Sequence, residues 1–269
     1  MNICFIGGGN MASALIGGLL KCDFTAAQLR VVEINADNCA WMHREFAVQA
    51  TVELADGVTD SEVIVLAVKP QQLRDVAQQL APLLNGQLLV SIAAGIRAVD
   101  LARWLGTQNV VRAMPNTPAL IQSGMTGLYA LPAVSETQRE QAQHILAAVG
   151  KTLWVQEEAM LDAVTAISGS GPAYVFYFIE AMQQAARELG FNDAEARRLS
   201  IDTFLGAAKL ADASVDDVSV LRARVTSKNG TTERALLSMD ASNVKQHIIT
   251  AAKAAAARAM EMGDELGGV

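Results

Sequence analysis

Residues 225–236 read VTSKNGTTERAL. Four hydroxyls, from Thr226, Ser227, Thr231 and Thr232, crowd a turn on Asn229-Gly230 between two stretches with helical spacing, and no His, Cys or Asp stands beside them. Such a loop has no strong acid or base to offer. It can hold an anion, because Gly230 permits an unusual backbone conformation and the amides of Thr231 and Thr232 open a helix, which suits a group of carboxylate size. A helix-turn-helix with threonine as its cap fits the same letters.

A second constellation lies at the start of the chain. Ile3 to Ile6 read as a strand that runs into Gly7-Gly8-Gly9-Asn10-Met11-Ala12 and then a helix. Gly7, Gly9 and Ala12 fit G-x-G-x-x-A: one glycine for the turn, one for close approach to a pyrophosphate, and a small residue where helix meets sheet. The helix start then offers free amides and a favourable dipole to phosphate. Glu33 ends the next strand, at the distance where an acid binds the ribose 2′-hydroxyl of NAD, whereas Asn35 could donate to the 2′-phosphate of NADP. The letters leave that choice open.

Further strand ends carry turn-forming residues: AVKPQ (67–71), AAG (93–95) and MPNTP (114–118). Ligands of open α/β sheets gather at such ends. Lys69 precedes a proline, is held extended, and reads as a backbone contributor rather than a catalytic amine. Asn116 and Thr117 sit between two prolines, either presented towards a nicotinamide or forming an ordinary Asx turn. SGSGP (168–172) interrupts a helical pattern, and two Gly plus one Pro would cost about 5 kcal/mol inside a regular helix. The helix must start near Pro172, or bend there to admit a neighbour.

These residues need a scaffold, and the first 155 positions supply its pattern. Apolar runs at NICFIGG, LRVVEIN, VIVLAV, QLLVSIAAG and NVVRAM alternate with helical spacing, which predicts a doubly wound α/β domain of the Rossmann type, with TGLYAL and TLWVQ finishing the sheet. Past about residue 157 the pattern is helical throughout: 161–189, 193–211, 215–225, 232–239 and 244–262. Asn192-Asp193, Ser214 and Thr231-Thr232 stand where caps are expected. The expected division is 1–156 for nucleotide and 157–269 for an all-helical substrate and dimerisation domain. Homodimerisation would cover its many apolar positions, and a self-contained bundle is the alternative.

Composition narrows the classes. A net charge of −7 without a long basic run argues against nucleic acid, and three histidines with three cysteines, Cys4, Cys22 and Cys39, show no metal-type spacing. No metal is expected. Apolar runs fall short of a membrane span, and MNICFIGGGN lacks the basic start of a signal peptide, so a cytoplasmic protein with reduced thiols is expected.

Together GGGNMASAL, AVKPQ, SIAAG, VRAMPNTPA, DAVTAISGSGPAY and VTSKNGTTERAL resemble the pyrroline-5-carboxylate reductase family over nearly the whole chain. The resemblance implies reduction of 1-pyrroline-5-carboxylate to L-proline by NADPH or NADH, the last step of proline synthesis. It further implies a helical domain interlocking two subunits, and further assembly of dimers in some members. Cofactor contacts would come from Ile6, Gly7, Gly8, Gly9, Asn10, Met11, Asn35, Ala67, Val68, Lys69, Pro70 and Ala94. Substrate contacts would come from Ser227, Gly230, Thr231 and Thr232, with Thr232 near the imine nitrogen and Glu158 close to the proline site. By its neighbours alone, Glu158 reads as a solvated acid before a helix. Two departures stand out: Lys228-Asn229-Gly230 replaces the family's Pro-Gly-Gly, and Arg224 stands where some members have Asn.

Two rival readings make different demands. A 3-hydroxyacid dehydrogenase shares the layout but carries a lysine shortly after the glycines of its helical half, where this chain reads PAYVFYFIEAM. A nucleotide sensor without turnover would have no use for the hydroxyl-rich loop.

Overall fold

The computed structural model describes residues 1–267. Its strands are β1 Ile3–Ile6, β2 Leu29–Val32, β3 Gln49–Thr51, β4 Val63–Leu66, β5 Leu88–Ser91, β6 Val110–Met114, β7 Gly124–Ala130 and β8 Gly150–Trp154. They form one sheet in the order β3-β2-β1-β4-β5-β6-β7-β8. All pairings are parallel except β6 with β7. β1, β4 and β5 are buried at every position, as continuous apolar strands covered on both faces should be. β1 lies between β2 and β4, so the chain reverses its direction of strand addition there and opens a crevice beyond the carboxyl ends of β1 and β4.

The helices are α1 Asn10–Leu19, α2 Ala36–Phe46, α3 Leu54–Val58, α4 Pro70–Leu80, α5 Ala98–Leu105, α6 Glu136–Ala147, α7 Met160–Val164, α8 Gly171–Glu188, α9 Asp193–Ala213, α10 Val218–Arg224, α11 Thr231–Ala241 and α12 Val244–Gly267. Local chemistry sets many of their starts. Pro70 opens α4 at a position where its missing N–H costs nothing. Reciprocal capping boxes open α6 (Ser135 with Gln138) and α9 (Asn192 with Glu195).

Several expected boundaries move. β3 is an addition, since QAT is too short and too polar to announce a strand. Ser214 closes α9 instead of opening the next helix; α10 starts three residues later than expected, capped by Asp217, whose carboxylate accepts from Ser219 N at 2.8 Å. Thr231 and Thr232 are the first residues inside α11, not its cap, and Gly230 takes the cap position. The pattern over 161–189 breaks as the glycines and proline demand. α7 passes into a π-helical turn at Thr165–Gly169, closed by Ser170 N donating to Thr165 O at 2.8 Å, and α8 restarts at Gly171 with Pro172 in its first turn. A Cβ on Gly169 would come within 2.6 Å of the Met114 side chain, so the small residue also admits a neighbour.

Contacts divide the chain into two compact units, Met1–Ser170 with the chain from Ala254 onward, and Gly171–Lys253. The last strand ends at Trp154, and every described element after it is a helix, which is the change that suggested a boundary at 156. Among the described residues no helix is long and apolar enough to cross a membrane.

Candidate functional site

The crevice is built from backbone first. Gly7 has φ +101°, a left-handed conformation open to glycine, and a Cβ there would meet Ala67 O at 2.9 Å. That close approach lets the turn after β1 sit against the turn after β4. Gly9 caps α1 with extended backbone and no side-chain cap, and a Cβ on it would meet nothing within 4 Å. The open space faces the first turn of α1, where unpaired amides and the helix dipole favour a phosphate. A pyrophosphate therefore fits the loop on geometry as well as on motif.

The surrounding cleft has a volume of about 490 Å³ and is lined by Ile6, Gly7, Gly8, Gly9, Glu33, Ala67, Val68 and Lys69, together with Ile34, Gln72, Asp75 and others. Asn10 and Met11 form the first turn of α1, Asn35 caps α2, and Pro70 opens α4; these four follow the lining residues in sequence and are not themselves part of the lining. Lys69 is the extended residue before Pro70, at φ −61° and ψ 144°, as its position before proline requires. Ala94 and Asn116 lie farther along the same edge of the sheet, after β5 and β6.

Asn116 is neither a free amide nor the side-chain cap of an Asx turn. Its Oδ1 accepts from Met125 N at 2.9 Å, and its Nδ2 donates to the carbonyl and the hydroxyl of Ser168, both at 3.1 Å. The side chain thus pins the start of β7 to the π-helical turn. A cofactor contact from this residue would fall to its backbone or to the second lone pair of Oδ1.

Glu33 is anchored. Its Oε2 accepts from Gly8 N at 2.9 Å and from Asn38 Nδ2 at 3.1 Å, and its Oε1 accepts from Asn35 N at 3.1 Å. The carboxylate is thereby bound to the glycine loop itself. Asn35 in turn accepts from Asn38 N through its side chain, which fixes the start of α2.

Glu158 is not the solvated acid its neighbours suggested. Its Oε1 accepts from Arg112 Nη1 at 2.6 Å and from Ala98 N at 2.6 Å, with the two side chains only 7% and 18% exposed. It therefore neutralises a buried guanidinium and satisfies an amide in the first turn of α5. Asp162 stands near the same pair, and burial pushes its carboxyl above the ordinary range, with Arg112 and Arg97 opposing that rise. Arg97 reaches Asp264 of α12 at 2.5 Å. Arg112 and Asp162, the partners of Glu158 here, went unnamed in the sequence; the one signal was Arg112, a charge inside the apolar run NVVRAM. Arg112→Met is expected to lower stability by about 3 kcal/mol in denaturant melts, because it strands a half-buried carboxylate. The double variant with Glu158→Gln should recover part of that loss.

The hydroxyl-rich loop closes on itself. Gly230 N donates to Ser227 O at 3.0 Å, and Asn229 N donates to Glu233 Oε2 at 2.7 Å. The left-handed residue is Asn229, at φ 60°, whereas Gly230 has φ −84°. Asparagine tolerates that conformation, so Lys228-Asn229 preserves a tight turn. Gly230 is needed for another reason: a Cβ there would collide with the Ser227 hydroxyl. Gly230 caps α11 without a side chain, leaving the amides of Thr231 and Thr232 at an uncapped helix start. Arg224 is held by Asp216 at 2.5 Å, and Thr226 donates to Arg222 O at 2.7 Å. Ser227, Gly230, Thr231 and Thr232 are thus gathered by one turn in the second compact unit, and Glu158 belongs to the first.

Comparison with known proteins adds to this geometry. Residues 158–262 match the family described as pyrroline-5-carboxylate reductase dimerisation, and residues 2–95 match the coenzyme F420-dependent NADP oxidoreductase family. A pyrroline-5-carboxylate reductase of Pseudomonas aeruginosa is 48% identical over 267 residues, 98% of either chain. A solved pyrroline-5-carboxylate reductase from Coxiella burnetii superimposes with a TM-score of 0.93 at 38% identity, covering 97% of this chain and 98% of that one. The Plasmodium falciparum pyrroline carboxylate reductase, solved with NADP bound, gives 0.87 at 27% identity with 98% of both chains covered. With a relative this similar along almost its entire length, the chain belongs to the pyrroline-5-carboxylate reductase family.

Proposed function

We infer that the protein reduces the C=N bond of 1-pyrroline-5-carboxylate to give L-proline, using NAD(P)H. The observation that carries this reading is an uncapped helix start, Thr231-Thr232, behind a hydroxyl-rich turn, in a chain that also has a dinucleotide crevice. When bound, NAD(P)H supplies the hydride. The amides that open α1 would hold the pyrophosphate, and Gly9 leaves the room for it. In the loop, the amides of Thr231 and Thr232 would take the substrate carboxylate, with Ser227 beside them. The Thr232 hydroxyl would orient the ring nitrogen or relay a proton to it. Since both hydrogen bonds of Glu158 fall on Oε1, Oε2 is the atom it would turn to the ligand.

No strong acid is required of this loop. A ketone must be activated as hydride arrives, whereas an imine nitrogen can be protonated beforehand, which makes its carbon electrophilic. Positioning then becomes the protein's main contribution, and it can lower a barrier by about 7 to 11 kcal/mol in favourable cases. The missing lysine after Gly171 fits an imine reductase and not an alcohol dehydrogenase. Loss of reduced-nicotinamide absorbance on adding 1-pyrroline-5-carboxylate, measured with NADH and NADPH separately, tests the reading. Nucleotide binding without oxidation of either would favour the sensor.

The division at 156/157 into a nucleotide domain and a substrate domain is part of the same proposal, as is homodimerisation through the helical half. Phe176, Tyr177, Leu205, Leu210 and Leu237 are each more than half exposed there, more apolar surface than a solitary unit is expected to show. The dimerisation-family match over 158–262 supports it. Light scattering at micromolar concentration should give twice the chain mass or a multiple of that; the single-chain mass would refute the dimer. A cytoplasmic location goes with this reading, the described cysteines being unpaired.

A further inference from the structure

We propose that Glu33 makes this reductase selective for NADH over NADPH. The proposal rests on the nucleotide reading above and adds the phosphate discrimination that the family assignment leaves open. Glu33 sits at the carboxyl end of β2, lines the cleft, and cannot easily swing away, since three hydrogen bonds from Gly8 N, Asn35 N and Asn38 Nδ2 fix both of its oxygens. Two carboxylate oxygens accept about four hydrogen bonds, so roughly one acceptor site is left for a ribose hydroxyl and no donor is left for a phosphate. A 2′-phosphate at this place would stand against a fixed negative charge.

The neighbours do not reverse that sign. Asp75 adds a second carboxylate to the lining, and the adjoining Ile34 is apolar and 83% exposed where a phosphate-binding site would use a cation. Asn35 brings only a neutral amide: its oxygen is occupied in capping α2, and its Nδ2 can donate a hydrogen bond but supplies no positive charge to offset the carboxylate. Lys69 is the one cation of the lining, and it belongs to the start of α4, across the cleft from the β2 end.

Calorimetric titration of the substrate-free protein with NADH and with NADPH tests the proposal independently of turnover. NADH should bind at least tenfold more tightly. Glu33→Gln should weaken NADH severalfold, strengthen NADPH, and bring the two constants within about threefold. Because Glu33→Gln also disturbs the glycine loop, Ile34→Arg serves as a second variant: it removes no buried group and should strengthen NADPH about tenfold, with NADH little changed. Equal or tighter binding of NADPH by the unmodified protein would overturn the proposal, as would a ratio insensitive to both substitutions. Failure to bind either nucleotide would instead overturn the enzyme reading.

Discussion

Replacing Thr232 with alanine is expected to lower kcat/KM for 1-pyrroline-5-carboxylate by about 10²-fold without disturbing the fold. Thr232 is the second residue of α11, and the helix is capped by Gly230, so the backbone that shapes the loop does not depend on its side chain. Alanine is also the better helix former, which offsets whatever small contact the threonine makes. On the proposed mechanism the effect on rate follows from the hydroxyl's place in the first turn of α11, where it would orient the ring nitrogen or relay a proton to it. Groups that move protons in a transition state contribute about 10² to 10⁴, and a hydroxyl that mostly orients belongs at the lower end. Thr232→Ser should recover most of the activity, since it keeps the oxygen and loses only a methyl. An unchanged kcat/KM in Thr232→Ala, with an unchanged melting curve, would remove Thr232 from the mechanism.

The second large effect is expected at Gly9, where stability and binding should part company. Serine is among the best N-cap residues, and Gly9 already has the extended backbone of a cap, so Gly9→Ser should leave the melting temperature unchanged or raise it. Space for the new side chain exists, because a Cβ there meets nothing within 4 Å. That space is what a pyrophosphate would use. Nucleotide affinity should therefore fall by about tenfold to 10²-fold, or about 1.4 to 2.8 kcal/mol. Gly7→Ala should behave differently, lowering stability itself, since φ +101° and the Ala67 carbonyl at 2.9 Å both oppose a side chain. A Gly9→Ser protein that binds nucleotide normally would place the pyrophosphate elsewhere.

Both candidate sites rest on short-range features, which is why their local structure could be read in the letters. A strand, three glycines and a small residue within ten positions leave few conformations, and the crevice between β1 and β4 follows from the alternation of elements around them. The turn in the hydroxyl-rich loop was legible in the same way, although the unusual backbone was expected at Gly230: Asn229 takes the left-handed conformation, and Gly230 makes room for Ser227. What pairs across long separations was not legible. Glu158 meets Arg112 across 46 positions and Asn116 meets Ser168 across 52, and no spacing rule links such pairs. The antiparallel entry of β7 was equally silent, because a strand's own residues do not state the direction of its neighbour. β3 failed for a different reason: three residues at the sheet edge bury too little to impose an apolar pattern.

In the proposed reaction, hydride passes from the nicotinamide to the imine carbon of 1-pyrroline-5-carboxylate. Its most direct measurement is isotope transfer: protein, 1-pyrroline-5-carboxylate and NADH deuterated at nicotinamide C4 on either face, with the amino acid formed analysed by NMR. One of the two labelled cofactors should give L-proline carrying a single deuterium at the ring carbon beside nitrogen that bears no carboxylate. Proline formed without deuterium from either labelled cofactor, or oxidised cofactor appearing without proline, would contradict the account.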